Sequence, residues 1–235
     1  MKQTLALIFL SLIGTQALKS QNPAREVLPQ GPPALPMFIE DINGRPYSSK
    51  AVDDIEGSPF LLVDWNWGAV KFRNGRFAKD LSLHFNVYNN QLYFKKEERQ
   101  LMFELPVQEF MIRYLKDNDS VTVVYRSGFP ETEKTTWETF LEVLNDGNLK
   151  LLKYRYKVIK SFRPYNQPEK KKFEDREQLY AFVDGRMLKF KKEKESIIEI
   201  LPQHKAAILS IIEQKKLKLK NEEDVKTLFE ELNSK

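Results

Sequence analysis

Short turns rich in asparagine, aspartate and glycine set what this chain can fold into. Asn74-Gly75 divides WGAVKFRNGRF, Asn89-Asn90 divides LSLHFNVYNNQLYFKK, Asn145-Asp146-Gly147 divides LEVLNDGNLKLLKY, and Asp184-Gly185 divides two further short runs. Each turn stands between stretches of Phe, Tyr, Val and Leu, residues that suit a pleated surface. Asn-Gly and Asp-Gly accept the positive φ angles of tight hairpin turns, whose twist matches that of the flanking strands. Such a chain pairs neighbouring segments antiparallel.

The turns also fix expected registers. A two-residue Asn74-Gly75 turn sets Phe72 opposite Phe77. A two-residue Asn89-Asn90 turn sets Val87 opposite Leu92 and Phe85 opposite Phe94, with all four on one apolar face. His84 then lies beside Lys95 on the other face, with Asn86 and Tyr93, and reads as a solvated strand residue. A three-residue turn at Asn145-Asp146-Gly147, with Gly147 left-handed, pairs Val143 with Leu149 and Leu141 with Leu151. Glu142 then faces Lys150 on the solvent side. Further strands are expected over Arg99–Leu105, Phe110–Lys116 and Ser120–Arg126, with loops over Arg126–Thr135 and Ser161–Lys172.

Both ends depart from this pattern. Lys2 followed by the apolar run Leu5–Ile13 has the form of a secretory signal. The run is too short to cross a bilayer of roughly 30 Å as a helix. Thr15 and Ala17 suit cleavage after Ala17; cleavage near Ser20 is the other option. Gln21–Pro36 carries five prolines and reads as an extended arm. Met37–Tyr47, with Asn43-Gly44 inside it, reads as a small hairpin. At the other end, Pro202 suits a helix start, and Asn221 followed by Glu222, Glu223 and Asp224 reads as a helix cap. Val225, Leu228, Phe229 and Leu232 then recur at helical spacing.

The expected fold is therefore mainly β: an antiparallel meander or curved sheet with two short C-terminal helices. Strand counting alone leaves a closed barrel open. The expected divisions are a signal peptide over 1–20, an arm and small hairpin over 21–57, an antiparallel β region over 58–201 and a two-helix segment over 202–235.

These residues carry a resemblance. Gly68-x-Val70, Asn74-Gly75, Leu83-x-Phe85-Asn86-x-Tyr88 and Leu92-x-Phe94 resemble a pattern in uncharacterised secreted β-rich proteins common in the Bacteroidetes group. The LEVLNDGNLKLLKY hairpin fits it, and the tail Lys216–Asn233 is similar to the helical ending of the same proteins. The resemblance runs from about Gly57 to the C-terminus and excludes the arm and Trp65-Asn66-Trp67. It implies an exported bacterial protein, periplasmic or on the inner face of the outer membrane. It brings no catalytic residue, cofactor or substrate.

Several chemistries lack their residues. There is no Cys, hence no disulfide, thiol nucleophile or thiolate metal site. His84 and His204 are the only imidazoles and have no metal-binding spacing. No serine elbow, phosphate loop or dinucleotide fingerprint occurs. No cofactor is expected. Paired carboxylates remain open to a periplasmic hydrolase, and a curved sheet remains open to an apolar ligand, which needs a cavity of several hundred Å³.

The reading favoured is a non-enzymatic binding module of the cell envelope, whose partner is an envelope protein or a small apolar or glycan ligand. Alternation sets Trp65 and Trp67 on one side of their strand. These two indoles, with Asn86, Tyr93 and Lys95, form the candidate contact surface. The net charge of +5 falls to about +3 without the signal, but Lys150–Lys194 holds fifteen Lys and Arg against six acids. With a secretory signal in front, that excess points away from nucleic acid. Tyr154–Lys160 and Lys170-Lys171-Lys172 suit peripheral contact with anionic lipid or lipopolysaccharide.

Overall fold

The computed structural model describes residues 36–46 and 54–234. The expected signal peptide and the arm up to residue 35 lie outside the described residues. Thirteen strands among them share one sheet. They are β1 (Pro36–Met37), β2 (Gly44–Pro46), β3 (Ile55–Glu56), β4 (Asn66–Phe72), β5 (Phe77–Asn86), β6 (Gln91–Lys96) and β7 (Arg99–Phe103). β8 (Val107–Lys116), β9 (Asp119–Arg126), β10 (Leu141–Asn145), β11 (Lys150–Phe162), β12 (Lys170–Val183) and β13 (Arg186–Phe190) complete it. Three helices follow: α1 (Lys194–Ile200), α2 (Lys205–Lys215) and α3 (Glu222–Asn233).

The sheet order is β13-β12-β11-β10-β9-β8-β4-β5-β6-β7-β2, antiparallel at every step. β1 adds to β5 and β3 adds to β12, both in parallel. β13 and β2 end the path without pairing, so the sheet is not closed into a barrel. The expected hairpin over 37–47 does not form. Its two halves are shared out, β1 to β5 and β2 to β7, with a 3-10 turn between them.

The β region predicted by turn chemistry is present, and its registers show where local rules hold. Asp184-Gly185 is a two-residue turn with both φ angles positive, and Val183 faces Arg186 as expected. Glu97-Glu98 and Asp117-Asn118 make the same kind of turn without glycine. At Asn74-Gly75 the loop holds three residues. The Gly75 N–H donates to the Phe72 carbonyl, and Gly75 has φ +82°. Phe72 then faces Arg76 rather than Phe77, Phe77 pairs with Lys71, and Ala78 takes the core place opposite Val70. At Asn89-Asn90 the loop holds Val87–Asn90, so Phe85 faces Leu92 and His84 faces Tyr93. That shift of two residues preserves the faces, because side chains alternate with period two.

The β10–β11 turn departs furthest. Glu142 faces Lys153 and Val143 faces Leu152, a slip of three residues from expectation. An odd slip exchanges the two faces. Gly147 is not left-handed. Instead the Asn233 side chain at the end of α3 enters the turn. It accepts from Leu149 N–H at 2.9 Å and donates to the Asn145 side chain at 2.6 Å and the Leu149 carbonyl at 2.8 Å. A Cβ on residue 147 would overlap it. Tertiary contact, not the local turn rule, sets this register.

One transverse row shows the result. Ala78, Val70, Phe110, Tyr125, Glu142, Lys153, Leu179 and Phe190 follow one another across eight strands. All eight are buried. To one side of the charged pair lies an aromatic core, where Phe85 sits within 6 Å of Phe110, Tyr125 and Phe140. To the other side lies the core shared with the helices, including Ile197, Ile208, Val225, Leu228 and Phe229. On the opposite face, Leu141, Leu152 and Tyr180 pack with Phe129 from the 127–140 connection.

The two expected C-terminal helices are α2 and α3. The Asn221 side chain accepts from the Asp224 N–H at 2.7 Å, the cap read from the sequence. α1 lies within the stretch assigned to strands. Its sequence, KESIIEI, holds isoleucines that fit either period over so short a run, and Ile197 finds its core place only by packing.

Candidate contact surface

The segment from Ser58 to Trp65 passes beside the end of β5. Phe60 bridges to Asn86, and the Leu61 N–H donates to the Phe85 carbonyl at 2.9 Å. The segment then arches over His84. Phe60 stacks on the imidazole with ring centres 3.6 Å apart, and Trp65 approaches it at 5.0 Å. His84 Nε2 lies 3.0 Å from the Leu62 carbonyl. A carbonyl only accepts, so Nε2 carries the hydrogen and Nδ1 is the basic nitrogen. Burial pushes the His84 pKa below its ordinary 6.5, opposed by the Leu62 and Val63 carbonyls and by Asp64. His84 is 8% exposed, so the expectation of a solvated strand residue is corrected. The covering segment, which strand alternation cannot foresee, is the reason.

The same cover redistributes the five candidate residues. Tyr93 is 1% exposed beneath Phe60, and its hydroxyl accepts from the Asn89 side chain at 3.4 Å. Asn86 is buried and holds the 87–90 loop, its Oδ1 accepting from the N–H groups of Tyr88 and Asn89. These two leave the contact surface and act within the architecture. Lys95 stays partly exposed, with Nζ 5.4 Å from the Trp65 ring.

Trp65 is half-buried against His84, whereas Trp67 is 43% exposed. Trp67 pairs with Arg113 across the β4–β8 ladder, and the guanidinium lies 4.9 Å from the indole ring. Leu115, two residues on and on the same face, is 76% exposed. Val63 at the crest of the arch is 81% exposed. The structure thus brings Trp65, Trp67 and Lys95 to one face. Arg113, Leu115 and Val63 join them unforeseen, because only the strand order shows that β8, 40 residues on, lies beside β4.

Sequence reading also missed a buried charge network. Lys153 is 1% exposed and Glu142 5%. Lys153 Nζ lies 3.6 Å from Glu142 and bonds Glu222 at the start of α3, while Arg155 Nε bonds Glu142. Four opposite charges cancel at the seam between the two cores. The Tyr125 hydroxyl beside them has no hydrogen-bond partner among the described residues. Burial pushes its pKa well above 10, Glu142 adds to the rise, and nearby Arg155 opposes it without reaching hydrogen-bond geometry. The available signal was Lys153 within Leu151-Leu152-Lys153-Tyr154, where an apolar run leaves a lysine no outward face.

Among the described residues, Asp146 is held at about 2 by Arg126 and Lys150, and Glu195 is lowered by its own backbone N–H and by Lys194. Both move opposite to the direction a general acid needs. Among the described residues no three His, Cys, Asp or Glu side chains converge to hold a metal ion. Clefts of about 600, 440 and 360 Å³ open beside Lys96 and Arg99, beside Glu56, Glu169 and Lys170, and beside Arg155 and Asp175; the charged lining of each does not suit an apolar ligand. No described helix is long and apolar enough to cross a membrane. No protein-family model matches this chain, and neither a curated protein nor a solved structure matches it.

Proposed function

We propose that this chain is an exported protein of the bacterial envelope that works as a non-enzymatic binding module, with its contact surface centred on Trp67. The observation that carries the reading is the exposed Trp67 indole under the Arg113 guanidinium, beside exposed Leu115. Trp and Arg are the residues that most often dominate binding energy at protein interfaces. The Arg113 guanidinium over the Trp67 ring holds the indole in place, which lowers the ordering cost of binding. The apolar run after Lys2 supports export. The partner class that fits an aromatic centre with a cationic rim is another envelope protein.

The test is a photoreactive residue placed at position 115 in intact cells, followed by identification of the crosslinked protein. One reproducible envelope partner is expected, with its yield cut about 30-fold by Trp67→Ala, the effect of losing a hot spot of about 2 kcal/mol. No reproducible partner, or one indifferent to Trp67→Ala, refutes the reading.

A further inference from the structure

β11 and β12 outrun their neighbours. β10 pairs with β11 only through Leu151–Lys153, and β13 pairs with β12 only through Leu179–Val183. From Tyr154↔Gln178 to Phe162↔Lys170 the two strands continue as a ribbon of nine pairs, with β3 alone added at Lys171 and Lys172. At about 3.4 Å per residue the ribbon is roughly 30 Å long. Ser161–Lys172 was expected to be loop; five of its twelve residues are strand, and the loop shrinks to residues 163–169.

The end of the ribbon joins cations to exposed aromatic surface. Tyr165 stands at the turn and is 91% exposed, and Ile159 is 37% exposed. Phe162 lies on the same end, under the Lys172 ammonium at 5.3 Å. Around them stand Lys160, Arg163, Lys170, Lys171 and Lys172. Acids offset three of these: Glu174 lies 3.8 Å from Lys160, Glu169 3.9 Å from Arg163 and Glu56 2.9 Å from Lys170. Lys171 and Lys172 have no acid partner among the described residues. The register also sets Lys160 directly opposite Lys172. Like charges facing each other across a ladder oppose pairing. A cross-strand repulsion at an exposed tip, beside an unpacked tyrosine, has no role in holding the fold.

We infer that this tip docks on an anionic phospholipid surface. The phosphates would relieve the Lys160–Lys172 repulsion and take Lys171, while Tyr165 and Phe162 settle at headgroup level, where amphipathic rings are favoured. The site is separate from Trp67, so either proposal stands if the other fails, though both suit an envelope protein.

The purified chain without residues 1–20 is mixed with vesicles of phosphatidylcholine alone or with about 30% phosphatidylglycerol and sedimented. Binding is expected only to the anionic vesicles, weakening at least 10-fold as salt rises from about 50 to about 500 mM. Lys160→Glu with Lys172→Glu should lower binding at least 10-fold, whereas reversal of a distant cation, Lys216→Glu, should not. Because the chain has no cysteine, Gln167→Cys gives a single labelling point. An environment-sensitive dye there should shift to the blue with anionic vesicles and not with neutral ones. No sedimentation with phosphatidylglycerol, binding indifferent to the Lys160/Lys172 reversal, or an unshifted dye overturns the inference. Binding confined to vesicles of lipopolysaccharide overturns it as well, since the occupant is then a different surface.

Discussion

Lys153→Met tests the buried network where its energetics are most exposed. Lys153 is enclosed between Glu142 and Glu222, and methionine keeps most of the volume of its stem while removing the ammonium. Glu142, with its side chain 7% exposed, keeps Arg155 as a partner, and Glu222, 28% exposed, can turn toward water. The loss therefore falls at the low end of the range for breaking a buried pair, about 3 kcal/mol. Lys153→Ala also loses three buried methylenes at about 0.8 kcal/mol each, raising the total to about 5 kcal/mol. For a chain of this size, 3 kcal/mol corresponds to a fall in Tm of roughly 6–12 °C. Urea denaturation with the slope m unchanged reads the difference directly. Adding Glu222→Gln to Lys153→Met should cost little more, because the carboxylate that loses its nearest partner is already able to turn toward water. If Lys153→Met stays within about 1 kcal/mol of the parent, the network does not hold the two cores together and the reasoning fails.

Three further outcomes are expected. Gly68→Ala should cost at least about 2 kcal/mol by denaturant titration, since its Cβ would overlap the Met111 carbonyl oxygen and lie 2.6 Å from Leu83, and the backbone oxygen cannot swing aside. Asn233→Ala should cost about 1–3 kcal/mol by leaving the β10–β11 turn without its three hydrogen bonds; Gly147→Ala, which displaces the same side chain, should add little on top of it. His84 should titrate below 6.5 by NMR. Its folded pKa is depressed, so its contribution to stability is complete above 6.5 and is lost as pH falls through the folded value. His84→Gln should flatten stability against pH in that window, and an unchanged profile counts against the buried stack.

The sequence was most informative where structure is local. Asp184-Gly185 closes its hairpin in the expected register because two adjacent positive φ angles define the turn without outside help. Asn221 caps α3 for a similar reason, its partner being three residues away. Asn89-Asn90 misled by two residues and cost nothing in face assignment, since Phe85 and Leu92 stay inside. Asn145-Asp146-Gly147 misled by three, which moved Glu142 from the solvent to the middle of the core row. Of the candidate surface, Trp65 and Trp67 were legible as lying on one side of their strand, although only Trp67 is exposed there and Trp65 is half-buried. Asn86 and Tyr93 were misplaced because Phe60, 26 and 33 residues earlier, covers them.

The sequence by itself thus determined that the chain is mainly β, with neighbouring strands joined by tight turns and helices at the C-terminal end, because turn chemistry, strand alternation and helix caps act over a few residues. The tertiary structure alone decided the sheet order, the burial of Glu142, Lys153 and His84, and the meeting of Trp67 with Arg113. Those depend on which distant segments pack together. A charge enters a core only when opposite charges arrive from elsewhere in the chain to neutralise it, as Glu222 of α3 does for Lys153.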